Sequence, residues 1–149
     1  MRDLVGDRLP KFTVADMKMV KGSLDFVGVN YYTARFAEEA TASGCDIDLS
    51  YTTDSHANLT TERNGIPIGE QTAASWLYVY PEGIRDLALY VRREYNNLPI
   101  IITENGMADP NNRTIPLDDA LDDSSRIKFH FMHLSYLLEA IKFVLLSRF

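Results

Sequence analysis

The sequence has one cysteine and no long run of apolar residues. Cys45 has no second cysteine to pair with, so we expect no disulfide framework within the fold. A membrane-spanning helix needs about 18 consecutive apolar residues, and no run in the chain reaches that length. The first seven residues lack the apolar core of a signal peptide. The sequence does not determine the compartment, but without such a signal we expect a cytoplasmic or nuclear location.

Basic residues are also scarce. The 15 Lys and Arg residues are outnumbered by 21 Asp and Glu residues, so the net charge is −6, which argues against nucleic acid as a partner. No glycine-rich loop that could cradle a phosphate is present, so no nucleotide cofactor is implied. His130 and His133 have a spacing that can bind metal, but no further ligands complete a set. We therefore expect a packed or solvated histidine pair, no metal and no cofactor.

Two apolar runs in the 149-residue chain predict strands. Residues 24–33 are rich in β-branched and aromatic side chains and predict a buried strand. Residues 98–103 contain three consecutive isoleucines and are apolar on both faces, which is typical of a parallel strand covered by helices. Between them, residues 38–70 show no sustained period and predict a long loop, a candidate lid or substrate-side insertion.

Three segments predict helices. Thr13 and Asp16 form the capping pattern of a short helix that Gly22 can end. Pro81 fits the first position of a second helix closed by Asn96 and Asn97, and a third helix begins near Ser124 or Ser125. The apolar faces of the last two are formed by Ile84, Leu87, Ala88, Val91 and Tyr95, and by Ile127, Phe131, Leu134, Leu138 and Ile141. The resulting βαβα order is typical of parallel α/β architectures.

Two polar groups follow the predicted strands. Residues 30–32 read Asn-Tyr-Tyr, and Glu104 and Asn105 follow the isoleucine strand directly. In parallel α/β folds, ligands bind at the carboxyl ends of strands. A carboxylate there is partly desolvated, and a nearby tyrosine hydroxyl can donate to it and hold its ionised form. From position alone, Glu104 is equally consistent with a solvated glutamate at a strand end.

Three motifs resemble those of one enzyme family. Residues 102–106 read Ile-Thr-Glu-Asn-Gly and resemble the signature of glycoside hydrolase family 1, the retaining β-glucosidases. Residues 25–32 resemble that family's preceding strand, and residues 75–84 resemble the intervening segment in its plant form. Within the family, plant enzymes of specialised metabolism, including alkaloid glucosidases, are the most similar in character.

The resemblance implies an incomplete (β/α)₈ barrel, with about two of its strand–helix units present. The whole chain is then a partial family 1 domain, made of a lead-in over residues 1–12, a family-like region over 13–142 and a divergent tail over 143–149. It implies that Glu104 is the nucleophile, that Tyr32 donates a hydrogen bond to it, and that Asn30 and Trp76 bind substrate. For Trp76, a core position near Tyr80 is the alternative.

One motif that the resemblance requires is absent from the sequence. Retaining hydrolysis needs an acid/base carboxyl group beside the nucleophile, and the family places it in an Asn-Glu-Pro motif that these residues do not contain. We therefore expect the chain alone to be inactive, with a β-glucoside as the substrate of the complete enzyme. The alternatives are a truncated isoform that binds a full-length relative or itself, and a partial gene model without function.

Overall fold

The computed structural model describes residues 6–40, 50, 53 and 55–146. Cys45 lies outside the described residues. A 3-10 turn spans Gly6–Arg8, and the helices are α1 (Val14–Val20), α2 (Glu82–Glu94), α3 (Leu117–Ala120) and α4 (Ser124–Leu146). The strands are β1 (Val27–Asn30), β2 (Phe36–Glu39), β3 (Ala57–Thr60), β4 (Glu62–Arg63), β5 (Ile66–Pro67), β6 (Glu70–Gln71), β7 (Tyr78–Val79) and β8 (Ile100–Glu104). No helix among these residues is long and apolar enough to span a bilayer.

Strands β1 and β8 lie side by side and run in the same direction, so the prediction of a parallel pair is confirmed. Val29 is paired with Ile102 and Asn30 with Glu104, which leaves Thr103 as the extra residue of a bulge. A bulge bends the strand and re-aims the side chains that follow it. The register thus brings the two polar groups of the sequence to the same end of the sheet.

The predicted burial of these two strands is wrong. Leu24 is 59% exposed, Phe26 49% and Ile101 47%. The reason is that β1 and β8 each have a single neighbouring strand among the described residues, so their outer edges and much of their apolar surface stay open. The strands are also shorter than the apolar runs that predict them, because pairing extends only over the residues that face each other.

Helices α2 and α4 pack against each other. Arg85 of α2 forms an ion pair with Glu139 of α4 at 3.1 Å, and the Tyr136 hydroxyl donates to Glu82 at 3.0 Å. Their buried residues are Ile84, Val91, Phe129, His133 and Ala140. The two helices therefore form a layer whose core includes one titratable side chain, His133.

The apolar face predicted for α4 is exposed. The five residues of that face are 48% to 72% exposed, and the buried residues lie on the opposite side of the helix. Tyr95, predicted on the inner face of α2, is also 53% exposed. Helix α4 is apolar on both sides, so the 3.6-residue period alone could not indicate which side meets α2.

The helix ends follow their sequence signals. Thr13 and Asp16 form a reciprocal capping box at the start of α1, and Gly22 follows its end with a φ of 81°. Helix α2 is followed by Asn96 and Asn97, both with a positive φ that asparagine tolerates well. The predicted signals at Thr13, Gly22, Asn96 and Asn97 are confirmed, whereas Pro81, predicted as the first residue of α2, precedes it as the N-cap.

The segment predicted as a long loop contains short antiparallel strands. Strand β2 pairs with β3, β4 with β5, and β6 with β7. Between β4 and β5, Asn64 and Gly65 have φ values of 55° and 75°, as a two-residue hairpin turn requires. The Asn-Gly pair is the sequence signal that could have predicted this hairpin. Each strand is too short to produce a detectable alternation, so the loop prediction is wrong for these residues.

Candidate active site

Tyr32 and Glu104 form a direct hydrogen bond at the carboxyl end of the β1–β8 pair. The Tyr32 hydroxyl donates to Glu104 Oε2 at 2.6 Å. Glu104 is the last residue of β8 and is exposed, so its carboxylate can be reached from solvent. The hydrogen bond raises the pKa of the Tyr32 hydroxyl above its usual value, because a tyrosinate would lose the bond and repel the carboxylate. The pair therefore holds its proton on tyrosine.

Asn30 lies on the neighbouring strand, opposite Glu104. It is paired with Glu104 in the sheet register, and its Oδ1 accepts a hydrogen bond from the Thr103 hydroxyl at 2.5 Å. Asn105, the residue after Glu104, donates from its side chain to the carbonyl oxygen of Tyr31 at 2.9 Å. The residues before and after Glu104 are thus each hydrogen-bonded to the segment that contains Asn30 and Tyr31.

Trp76 stands beside Tyr32 rather than in the core. The two rings meet edge to face, with centroids 6.3 Å apart and an interplanar angle of 71°. Trp76 is 54% exposed, so the alternative of a core position near Tyr80 is wrong. The Arg35 guanidinium donates to the backbone carbonyl of Trp76, which ties the tryptophan loop to the segment after β1. The indole is thereby held at the mouth of the site with much of its surface available.

Side-chain contacts join three of the four predicted site residues, with Tyr32 between Glu104 and Trp76, and the sheet register pairs Asn30 with Glu104. Sequence reasoning missed Tyr31 and Thr33, which connect the strand segment of Tyr32 to residues 78–80. The Thr33 hydroxyl donates to the Tyr78 carbonyl at 2.7 Å, and the buried Tyr31 donates to the Tyr80 carbonyl at 2.5 Å. The alternation of a strand was the available signal, because it places Tyr31 and Tyr32 on opposite faces.

His133 of α4 lies below the site, packed against Tyr31. Their ring centroids are 5.8 Å apart, and the Phe129 ring lies 3.9 Å from His133 on the other side. The Nδ1 of His133 donates to the Phe129 carbonyl at 2.8 Å, whereas its buried Nε2 has no hydrogen-bond partner within the described part of the chain. Burial lowers the pKa of His133 and raises that of Tyr31, so both side chains are held neutral.

A carboxylate at the end of a parallel strand, hydrogen-bonded by a tyrosine from the adjacent segment, is the arrangement that the sequence resemblance predicts. The model of Glycosyl hydrolase family 1 matches residues 1–145, so the chain belongs to that family. The matching solved structures include two rice β-glucosidase barrels, of which this chain covers 30%. The prediction of an incomplete (β/α)₈ barrel is confirmed, since the described strands form two-stranded sheets and no closed barrel.

Relatives in plants are similar over nearly the whole chain. Beta-glucosidase 12 of Oryza sativa subsp. indica is 56% identical over 142 residues, which are 95% of this chain and 28% of that protein. Raucaffricine-O-beta-D-glucosidase of Rauvolfia serpentina is 45% identical over 142 residues, 95% of this chain and 26% of that protein. The chain therefore spans little more than a quarter of the length of these relatives.

A solved structure relates the fold to a covalent sugar complex. A mutant of a rice β-glucosidase, in covalent complex with Glc, has a TM-score of 0.85 and 42% identity to this chain. The match covers 95% of this chain and 30% of that structure. The fold of the described residues is therefore that of the corresponding part of a glycosidase.

Proposed function

We propose that this chain is the nucleophile-bearing portion of a retaining β-glucosidase. The observation that carries the proposal is the 2.6 Å hydrogen bond from the Tyr32 hydroxyl to Glu104 Oε2. A nucleophilic carboxylate must be ionised and correctly oriented before it attacks, and a fixed hydroxyl donor serves both needs. The covalent glucose complex of the rice relative supports the same chemistry.

In the proposed reaction, a Glu104 oxygen attacks the anomeric carbon of a β-glucoside. The bond between that carbon and the aglycone oxygen breaks, and an ester bond to Glu104 forms with inversion. The aglycone oxygen leaves with a proton from the acid/base carboxyl group. Water, deprotonated by that same group, then attacks the anomeric carbon from the other face, releasing glucose and Glu104 with net retention.

The neighbouring residues are suited to bind the two parts of the substrate. Asn30 stands beside Glu104 and offers amide hydrogen-bonding groups to sugar hydroxyls. Trp76 presents a half-exposed indole next to Tyr32, a flat surface for an aromatic or otherwise apolar aglycone. Similarity to raucaffricine glucosidase makes alkaloid glucosides one substrate class to include in a panel, beside simple aryl glucosides.

The second carboxyl group of the mechanism would come from the remainder of a family 1 barrel. The chain contains no Asn-Glu-Pro motif, and it corresponds to little more than a quarter of its relatives. Removing an acid/base group typically lowers the rate by about 10² to 10⁴. We therefore propose that Glu104 acts only in a complete barrel, and that the 149-residue chain alone has no turnover.

A non-catalytic role is the alternative that a specific observation favours. The outer face of α4 exposes five apolar residues, and β1 and β8 have open edges among the described residues. Such surfaces recruit other chains. In this second proposal, the chain binds a full-length family 1 β-glucosidase and alters its assembly.

The role of Glu104 can be tested by azide rescue in a complete barrel. The matching 142 residues of rice Beta-glucosidase 12 would be replaced by those of this chain, giving a grafted barrel, and Glu104 would then be changed to alanine. Azide should restore activity and yield the α-glucosyl azide, because it attacks the β-glucoside directly with inversion. Glu94→Ala, at the end of α2, is the matched control and should keep full activity without azide. A β-glucosyl azide product, or full activity without azide in Glu104→Ala, would contradict the proposal.

A further inference from the structure

We propose that Tyr31 is a positioning residue, which transmits the packing of α2 and α4 to the carboxylate of Glu104. The inference rests on the proposed role of Glu104. Tyr31 touches neither end of the Tyr32–Glu104 hydrogen bond with its side chain, which points into the core on the opposite face of the strand. Its influence on Glu104 runs through its backbone.

The backbone of Tyr31 forms hydrogen bonds with Glu104, the last residue of β8, and with Asn105, which follows it. Its amide N–H donates to the carbonyl oxygen of Glu104 at 2.9 Å, and its own carbonyl accepts from the Asn105 side chain at 2.9 Å. These bonds follow the bulge at Thr103, where the ladder between β1 and β8 is interrupted. Tyr31 therefore hydrogen-bonds the backbone of Glu104 directly after the bulge.

The side chain of Tyr31 is held from three directions. It is 5% exposed, and its hydroxyl donates to the carbonyl of Tyr80, two residues before α2, at 2.5 Å. Its ring packs against His133 of α4 at a centroid distance of 5.8 Å. Gly83 in the first turn of α2 leaves the space that the hydroxyl occupies, since a Cβ there would overlap the Tyr31 oxygen and the Tyr80 ring.

Together these contacts connect helices α2 and α4 to the Glu104 carboxylate through Tyr31. Tyr32 follows Tyr31 directly, so a shift of the Tyr31 backbone displaces the donor to Glu104 as well as the strand that carries Glu104. A reacting group misplaced by about 1 Å can lower a rate by about 10²-fold. We therefore expect changes at Tyr31 to lower kcat while leaving KM nearly unchanged, because neither substrate-binding side chain is altered.

The test uses the grafted barrel with Tyr31→Phe, which removes the hydroxyl and keeps the ring. Tyr90→Phe, the same change on the exposed side of α2, is the matched control. Active sites would be counted from the burst of leaving group that a slowly hydrolysed fluorinated glucoside releases. Activity would then be divided by that number, so that unfolded protein does not contribute. We expect kcat per active site to fall by about 10-fold, with KM within about twofold. In an NMR titration, the ring-carbon signal of Tyr32 should also show a hydroxyl pKa closer to the ordinary value for tyrosine.

A second variant reaches the same contact from the helix. Gly83→Ala pushes a methyl group against the Tyr31 hydroxyl and should produce a similar loss of kcat. Combined with Tyr31→Phe, which removes that oxygen, its effect should be less than additive.

If Tyr31→Phe and Gly83→Ala lower only the melting temperature and leave kcat per active site and the Tyr32 titration unchanged, Tyr31 is a core residue and the proposal is wrong. Failure of the proposed function is separate, because it would appear as full activity in the Glu104→Ala barrel. The Tyr32 titration would report on Tyr31 in either case.

Discussion

The hydroxyl oxygen of Tyr32 lies 2.6 Å from Oε2 of Glu104, although the two residues are 72 positions apart in the chain. Parallel pairing of β1 with β8 brings them together, and a bulge at Thr103 sets their register. The contact therefore depends on non-local structure, which makes it sensitive to changes both at the site and in the helices beneath it.

Removing the Tyr32 hydroxyl should impair Glu104, the proposed nucleophile. Tyr32→Phe in the grafted barrel deletes a donor to a charged group, an interaction worth about 1.5 to 3 kcal/mol, so kcat/KM should fall by about 10- to 100-fold. Tyr78→Phe provides a control in which a hydroxyl outside the Glu104 contact is lost. Steady-state kinetics on an aryl glucoside checks the result, and an unchanged kcat/KM would show that the hydrogen bond does not contribute to catalysis.

The exposed indole of Trp76 should act on the aglycone. Trp76→Ala should raise KM for aryl glucosides by about fivefold, as expected for the loss of about 1 kcal/mol of aromatic contact, and should affect methyl glucoside much less. Trp76→Phe should recover part of the difference. Competition between the two substrates in one reaction measures the discrimination directly. Equal losses on both substrates would mean that Trp76 does not contact the aglycone.

His133 should make the fold sensitive to acid. Burial lowers its pKa, although the Phe129 carbonyl acts in the opposite direction, with smaller effects from His130 and Glu82. The unfolded chain therefore takes up this proton at a higher pH than the folded chain. The stabilisation is complete above the ordinary histidine pKa of about 6.5 and is lost as the pH falls through the lowered value.

This acid sensitivity can be assigned with two histidine variants of the grafted barrel. The melting temperature of His133→Gln should depend less on pH below about 6.5 than that of the parent, because the titrating group is gone. His130→Gln, an exposed neighbour on the same helix, should behave like the parent. Identical pH profiles for the parent and His133→Gln would exclude His133 as the source.

The 149-residue chain by itself should neither turn over substrate nor remain a compact monomer. Phe131 is 72% exposed, Leu134 64% and Ile127 67%, all on the outer face of α4, and apolar patches of this kind favour association. Light scattering after size-exclusion chromatography should show self-association, or co-elution with a full-length relative. A stable monomer that melts cooperatively and does not bind the full-length relative would contradict this prediction. Aryl glucosidase activity above that of the Glu104→Gln variant would contradict the expected inactivity.

The site was more predictable than the packing around it. Glu104 and Tyr32 sit in motifs whose order places them at the ends of adjacent parallel strands, so their meeting follows from the resemblance and from topology. The helix signals at Thr13, Pro81 and Asn96 are local, and local capping chemistry sufficed to locate the helix ends.

The buried face of α4 could not be predicted in the same way. Both sides of that helix are apolar, and the choice between them depends on which elements cover each side. Phe129 and His133 are buried because α2 and Tyr31 lie there, whereas Phe131 and Leu134 are exposed in the part of the chain that the structure describes. A sequence pattern tells which residues can be buried, but the neighbouring elements decide which are.

Covalent labelling tests the central proposal most directly. A 2-fluoro glucoside with a good leaving group should inactivate the grafted barrel, because the fluorine slows breakdown of the ester more than its formation. Peptide mapping should then place the fluoroglucosyl group on the peptide containing residues 102–106, and Glu104→Gln should abolish the label. A label on any other carboxylate, with Glu104 unmodified, would contradict the assignment of Glu104 as the nucleophile.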